Sequence, residues 1–137
     1  MANLEKFEEF VDNLAQLDDE TRFEYILDLA RKHRNDPFPA SDMTPEHEMH
    51  GCQAKVWIVH EPKGDRHYFR GHSDAAIVNG LVTMMTDSFS GLTSREIADL
   101  SIDHVRKLNL GSLTMQRQVG MMAMLKHIKK LGLAKAA

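Results

Sequence analysis

The chain is 137 residues long, a length that fits one domain over residues 1–137 with a hydrophobic core of its own. Its 42% hydrophobic and 27% charged residues are ordinary for a soluble globular protein, and its net charge of −3 argues against nucleic acid as the main partner, because phosphate binding needs a basic face. No apolar run approaches the roughly 20 residues that span a bilayer, and the acidic N-terminus lacks the basic start of a signal peptide, so we expect a cytoplasmic protein without a membrane partner.

The first third of the chain has the apolar spacing of two helices. Over residues 3–17 the apolar side chains recur every three or four positions. Asp18 or Asp19 can cap a second helix, which we expect to end near His33. Residues 34–48 hold three of the four prolines and predict a long irregular connection, a kind of segment that is often functional.

Residues 55–71 predict a β-hairpin. Val56, Ile58 and His60 would point to one face of the first strand, and the residues between them to the other. Residues 62–65, with the sequence PKGD, supply the turn, and residues 66–71 form the returning strand. Because a hairpin alone is marginally stable, we expect a third strand or covering helices.

The remaining chain is mostly helical. Ser73 or Asp74 can cap a helix that runs to about Asp87, and Gly80 inside it would permit close packing. Thr93 and Glu96 have the spacing of a capping box at the start of a further helix.

A last helix is predicted from about residue 114 to residue 131, with Gly132 ending it. Its methionines indicate helical core packing, since methionine fills irregular gaps. The fold class is therefore α+β, with a small antiparallel sheet of about three strands flanked by helices.

Cys52 is the candidate reactive residue. As the only cysteine it excludes an intramolecular disulfide and a metal or cluster site built from several thiolates of one chain. Gly51 allows an unusual backbone conformation just before the thiol, and His50 and Lys55 would lower the pKa of the thiol if they lie close to it. The alternative is that Cys52 is a small buried hydrophobic residue, as many single cysteines are.

Two other chemistries stay open at this point. His47, His50 and Cys52 could hold a zinc ion with a fourth ligand from elsewhere, although their spacing matches no common zinc motif. A cysteine hydrolase would need a general base near the thiol, for which His72 or His104 could serve with Asp74 or Asp103 behind it. A phosphate-binding glycine-rich loop is missing from the sequence, so nucleotide chemistry is not expected.

Arg117 and Asp74 each allow two interpretations. Arg117 falls in the first turn of the last predicted helix, where a positive charge is unfavourable, so it is either a solvated side chain or a contact with a partner or substrate. Asp74 is either a helix cap or a functional acid.

Four segments resemble, in the same order, characteristic segments of the SufE family of sulfur-acceptor proteins. Residues 51–59 (GCQAKVWIV) resemble the Gly-Cys-Gln-Ser-x-Val-Trp segment of that family, and residues 113–121 (LTMQRQVGM) resemble its Leu-Thr-Pro-Ser-Arg-x-x-Gly-Leu. Residues 71–81 (GHSDAAIVNGL) and 25–29 (YILDL) provide the other two matches. The departures are Ala54 for the usual serine, Ala30 for glycine, Met115 for proline and Met121 for leucine.

The resemblance implies a sulfur relay. Cys52 would accept persulfide sulfur from a cysteine desulfurase of the SufS or CsdA kind, stimulate that enzyme, and pass the sulfur to an iron–sulfur scaffold complex of the SufBCD kind. The fold would be similar to that of IscU-like scaffold proteins, and the cysteine loop would rest in an apolar pocket and swing out into the desulfurase.

The same resemblance implies no cofactor or metal in this chain, since the pyridoxal phosphate belongs to the desulfurase. The protein would be a sulfur carrier, not a stand-alone enzyme, and we expect a monomer because the motif surface must stay free. Supporting or partner-binding roles would fall to His50, Gly51, Gln53, Asp74 and Arg117. The alternatives are an adaptor that docks on a desulfurase without accepting sulfur, and a zinc-binding or thiol-dependent enzyme.

Overall fold

The computed structural model describes residues 4–31, 38–49, 54–108, 110 and 115–133. In these ranges the chain forms six α-helices and four β-strands. The helices are α1 (Glu5–Ala15), α2 (Asp19–Arg31), α3 (Ala76–Phe89), α4 (Ser94–Ala98), α5 (Ile102–Lys107) and α6 (Met115–Leu133). The strands are β1 (Glu48–Met49), β2 (Val56–Lys63), β3 (Arg66–Ser73) and β4 (Leu92–Thr93). The predicted α+β class is confirmed.

The strands form one antiparallel sheet in the order β1-β2-β3-β4. Its centre is the predicted hairpin, whose register runs from Val56 opposite Ser73 to Lys63 opposite Arg66. Gly64 takes a positive φ of 63° in the turn, as the PKGD sequence indicates. The sheet has four strands where about three were expected, because β1 and β4 are two residues long and show no alternation of their own.

Helix α3 is the central helix of the core, since it contacts β2, β3, α1, α2 and α6. Most of its side chains are buried, which explains why its sequence is apolar nearly all round. A Cβ atom at Gly80 would lie 2.0 Å from the carbonyl oxygen of Ile26 in α2. The close packing that Gly80 predicts is therefore confirmed, and it brings α2 and α3 into backbone contact.

Both faces of β2 are covered where it approaches the segment that carries the cysteine. Val56 and Ile58 share a face, as predicted, and that face belongs to the main core beneath α3. Trp57 and Val59, on the other face, are also buried. The ring of Trp57 stacks on His72, which in turn stacks on Phe38. The connection before β1, which contains Phe38, thus helps to cover this second face of β2.

Two of the predicted caps are confirmed. The Asp18 carboxylate accepts a hydrogen bond from the Thr21 amide at 2.8 Å, and Thr93 with Glu96 forms a capping box on α4. The prediction that Gly132 ends the last helix is wrong. Helix α6 continues to Leu133, and Gly132 is buried where a Cβ atom would lie 2.5 Å from the Cδ1 atom of Ile97.

The methionines of α6 divide between two environments. Met121 and Met124 are in the core, as predicted. Met115 is exposed and Met122 is half-buried, so core packing is the wrong interpretation for Met115. Among the described residues, no helix combines the length and apolar character that crossing a membrane requires.

Candidate functional site

The candidate residues His50, Gly51, Cys52 and Gln53 lie outside the described residues, but both flanks of their segment are defined. Strand β1 ends at Met49 and β2 begins at Val56, and these two residues are opposite each other in the antiparallel register. Met49 is 3% exposed and Val56 is fully buried. The chain therefore leaves and re-enters the sheet at adjacent positions, and both positions are fixed in the core.

Ser73 fastens the downstream end of this segment. It lies opposite Val56 in the hairpin, and its hydroxyl donates a hydrogen bond of 2.7 Å to the carbonyl oxygen of Lys55, three residues after Cys52. The same hydroxyl accepts a bond of 3.3 Å from the Ala75 amide, and the amide of Ser73 donates to the Asn79 side-chain oxygen at 3.1 Å. The buried Ser73 therefore ties the segment to the start of α3.

Asp74 does not cap α3, so the cap prediction is wrong. The N-cap residue is Ala75, in an extended conformation, and no side chain caps it by a hydrogen bond. The hydroxyl of Ser73 is occupied by Lys55 and Ala75, while Asp74 is exposed. Since Asp74 directly follows Ser73, its carboxylate is displayed at the end of the sheet where Met49 and Val56 flank the cysteine segment.

Arg117 is the third residue of α6, as the prediction of a first-turn arginine requires. It is half-buried and interacts with another group of the protein, so it is not a freely solvated side chain. Helix α6 packs against β2 and α3, the two elements that Ser73 joins. These contacts attach the helix that carries Arg117 to the same framework as the cysteine segment.

The two histidines considered as general bases both have packing roles. His72 stacks between Phe38 and Trp57, with ring centroids 5.7 Å and 6.1 Å away. His104 accepts a hydrogen bond from the Ser101 amide at 3.1 Å and so completes the cap of α5. Its neighbour Asp103 pairs with Arg106 at 3.2 Å. The contacts of His104 and Asp103 therefore give no support to a hydrolase arrangement that uses them.

His47, the first residue of the possible zinc motif, is half-buried and is not a simple surface side chain. Its Nδ1 atom lies 2.9 Å from the Asp42 carbonyl oxygen and 3.2 Å from the Thr44 hydroxyl. The other two members of the motif, His50 and Cys52, fall outside the described residues. Over the part of the chain that the structure describes, three or more histidine and acidic side chains do not converge on a metal position.

Sequence reasoning missed the role of Ser73 and Asn79. Both residues lie within the 71–81 segment, and the serine was interpreted only as a possible helix cap. The register of the hairpin, which places Ser73 opposite Val56 and beside the Lys55 carbonyl, shows the different use of its hydroxyl. The hydrogen bond from Ser73 to the Lys55 carbonyl follows from the pairing of β2 with β3, which the sequence pattern alone does not reveal.

Comparisons with known proteins find a family model and relatives that match most of the chain. The family model SufE, described as an Fe–S metabolism associated domain, matches residues 8–132. An uncharacterised SufE-like protein from Rhizobium etli is 33% identical, over 100% of this chain and 94% of the relative. Another from Rhizobium meliloti is 35% identical, over 89% of this chain and 91% of the relative.

A structural neighbour shares the fold. The solution structure of a hypothetical protein from Thermus thermophilus superimposes with a TM-score of 0.73 over 92% of each chain. Its sequence is 19% identical, so this likeness concerns the architecture alone.

Proposed function

The chain belongs to the SufE family of Fe–S metabolism, and we propose that within this role it carries sulfur on Cys52. The donor is a pyridoxal-phosphate-dependent cysteine desulfurase, which the chain stimulates by removing its product. The recipient is an iron–sulfur scaffold complex, and the exchange takes place in the cytoplasm. The observation that carries the proposal is the family match over residues 8–132, a range that includes the only cysteine.

The proposed step is a transpersulfidation. The Cys52 thiolate attacks the outer sulfur of the persulfide on the desulfurase cysteine, so a new sulfur–sulfur bond forms on Cys52. The sulfur–sulfur bond of the desulfurase breaks, and its cysteine leaves as a thiolate. One sulfur atom is transferred without an external oxidant or reductant. The desulfurase is then free to process another cysteine.

The anchoring of the cysteine segment supports this role. Cys52 follows Met49 by three residues, and three extended residues span at most about 11 Å. The buried pair of Met49 and Val56 therefore limits the region that the thiol can reach. Ser73 adds a second attachment at the Lys55 carbonyl. A sulfur carrier benefits from this arrangement because its thiol meets two partners in turn while both ends of the cysteine segment stay attached to the core.

Asp74 and Arg117 are proposed to act on the partner, not on the sulfur. The exposed carboxylate of Asp74 stands at the end of the sheet from which the cysteine segment projects, so it can contact a basic group of the desulfurase. Arg117 belongs to a helix that packs on β2 and is proposed to support the same surface. His50, Gly51 and Gln53, next to the thiol, are proposed to shape its reactivity.

Mass spectrometry of the intact chain tests the proposal directly. After incubation with a cysteine desulfurase and free cysteine, the wild-type chain should gain the mass of one sulfur atom, and a reducing agent should remove it. The Cys52→Ser variant should gain nothing. An unmodified wild-type chain under turnover conditions would contradict sulfur transfer.

A second measurement separates the carrier from a non-accepting adaptor. Sulfide release by the desulfurase should rise on addition of the wild-type chain and stay at its basal rate with Cys52→Ser. If the serine variant stimulates as well as the wild type, the chain is an adaptor and the proposed transfer is wrong.

A further inference from the structure

Helix α6 has two apolar faces, of which one is buried in the fold and the other is partly exposed. The inward face is buried against the rest of the chain through Gly120, Met121, Met124, Leu125 and Ile128. The second face follows the helical spacing of residues 115, 119, 122 and 123. Met115 is 74% exposed and Val119 is 50% exposed, while Met122 and Ala123 are half-buried. An ordinary surface helix would carry polar residues at these positions.

The second face of α6 forms one wall of a groove, which we name the α5–α6 groove. Its volume is about 750 Å³. Val119, Met122 and Ala123 line one side and Ile102, 44% exposed at the start of α5, lines the other. The buried residues Leu100 and Leu125 close its floor, so the apolar surface is recessed between two helices.

The α5–α6 groove has a basic rim. Lys126 is exposed at its border, one turn beyond Met122 on the same helix. Lys129 also lines the groove and donates hydrogen bonds to the carbonyl oxygens of Ala98 and Leu100, so its charge is held at the rim. The one acidic side chain of the lining, Asp103, is paired with Arg106 at 3.2 Å.

The last part of the sequence, which includes α5 and α6, is rich in basic residues. From Ile102 to the last residue, Asp103 is the only acidic residue in the sequence, although the complete chain has a net charge of −3. The basic residues of that stretch are Arg106, Lys107, Arg117, Lys126, Lys129, Lys130 and Lys135. The α6 wall of the groove therefore belongs to a basic stretch of the sequence, and Lys126 and Lys129 are the members of that stretch that line the groove among the described residues.

We propose that the α5–α6 groove docks an amphipathic helix of a partner protein, with apolar residues on one face and carboxylates beside them. A helix presents apolar side chains at i, i+3, i+4 and i+7, which is the pattern that enters a groove between two helices. Flanking carboxylates would meet Lys126 and Lys129. The flexible Met122 adapts its side chain to the shape of the guest.

The shape of the groove favours a helix over a lipid surface. Exposed Val119 and Ile102 stand on either side of a floor formed by buried Leu100 and Leu125, a concave shape that a helix fills and a flat bilayer does not. From Val119 to Lys129 the wall runs for about 15 Å, at 1.5 Å per residue, which is the length of about three helical turns. The surface uses none of the residues assigned to sulfur transfer, so this proposal does not depend on the proposed function.

The test is a titration of the full-length, isotope-labelled chain with two synthetic amphipathic peptides of about 16 residues, followed by amide chemical shifts and fluorescence anisotropy. Both peptides carry leucine at the helical spacing, and they differ only in having glutamate or lysine at the flanking positions. We expect the glutamate peptide to bind at least about tenfold more tightly, with shifts concentrated at residues 100–103 and 119–129.

Variants assign the binding to the groove. Val119→Asp and Lys126→Glu should each weaken the glutamate peptide at least about fivefold, because one changes the apolar wall and the other reverses the rim charge. Lys63→Glu, a matched charge reversal in the β2–β3 hairpin and outside the groove, should leave the affinity within about twofold. Both groove side chains are exposed, so thermal unfolding should confirm that the variants fold.

Several outcomes would overturn the proposal. These are absence of binding by the glutamate peptide, equal binding of both peptides, or shifts centred elsewhere in the chain. Tight binding to vesicles of phosphatidylglycerol and phosphatidylcholine that Val119→Asp abolishes would assign the surface to a membrane. A concentration-dependent dimer that the same variant dissociates would assign it to a second copy of this chain.

Discussion

The Nε2 atom of His60 lies 2.8 Å from the Nδ1 atom of His67, across the β2–β3 hairpin. His67 is also 2.8 Å from the Ser94 hydroxyl through its Nε2 atom, and that hydroxyl donates to the Gly132 carbonyl at 3.1 Å. Because the serine proton is used on Gly132, His67 donates from Nε2 and accepts at Nδ1 from His60. The chain of bonds links the hairpin to the end of α6 and is complete when both rings are neutral.

This pair makes stability depend on pH. Burial, and secondly the charge of His67, lower the pKa of His60 below its usual value. Above about pH 6.5 the ring is neutral in both the folded and the unfolded chain, and the full stability is present. As the pH falls below that value, the unfolded chain takes up the proton first, so stability is lost until the lower folded pKa is reached.

Histidine resonances and denaturant unfolding between pH 7.5 and about pH 5 check this prediction. His60 should titrate below its usual pKa, and His67→Gln should raise the pKa of His60 because the second cause of the shift is removed. The variant His60→Gln should show a smaller loss of stability over the same range. A His60 pKa at or above the usual value in the wild-type chain would contradict the prediction.

Gly80→Ala should destabilise the protein strongly. The added Cβ atom would lie 2.0 Å from the backbone oxygen of Ile26, and a backbone group cannot move aside without separating α2 from α3. We expect a loss of about 3 kcal/mol in the free energy of unfolding, typical of an overpacked core. Chemical denaturation of purified wild-type and variant chains measures the difference.

Gly132→Ala is the matched control for Gly80→Ala. The new Cβ atom would meet the tip of the Ile97 side chain at 2.5 Å, and a side chain can change its rotamer. Equal losses for the two variants would show that the contact between α2 and α3 is not the cause.

Ser73→Ala should slow sulfur transfer as well as lower stability. It removes the hydrogen bond to the Lys55 carbonyl and the acceptor for the Ala75 amide, so we expect a loss of about 1–2 kcal/mol. The segment that carries Cys52 would lose one of its attachments. The initial rate of persulfide formation on Cys52, followed by mass spectrometry, should fall several-fold.

Ser90→Ala provides the control for that rate. Its hydroxyl accepts a hydrogen bond from the Phe69 amide at 2.9 Å and donates to the carbonyl oxygen of Thr86 at 2.7 Å, with the Phe69 carbonyl oxygen 3.1 Å away, so it joins β3 to α3 away from the cysteine segment. We expect a comparable loss of stability with an unchanged transfer rate. If both serine variants slow the transfer equally, the effect belongs to general stability and not to the anchoring of the segment.

Asp74→Asn should weaken the interaction with the desulfurase and leave the fold intact. The carboxylate is exposed and does not cap α3, so thermal unfolding should be unchanged within about 0.5 kcal/mol. The concentration of the chain that half-saturates desulfurase stimulation should rise about threefold or more, and this dependence should fade at high salt. Unchanged half-saturation would exclude Asp74 from the partner surface.

The sequence alone determined the features that depend on local chemistry. Helical spacing and capping residues such as Asp18 and Thr93 identified helices, and alternation with a PKGD turn identified the central hairpin. Gly80 indicated a close helix contact because glycine inside a helix has a local cost that needs a reason. The cysteine segment was identified by its residues and by its resemblance to a family.

Tertiary structure decided everything that depends on a partner distant in the chain. Strands β1 and β4 are two residues long and exist because longer neighbours pair with them. Ser73 serves the Lys55 carbonyl because the hairpin register places the two together. Whether a methionine of α6 is buried, like Met121, or exposed, like Met115, depends on which helix faces pack, and periodicity cannot determine that in a helix with two apolar faces.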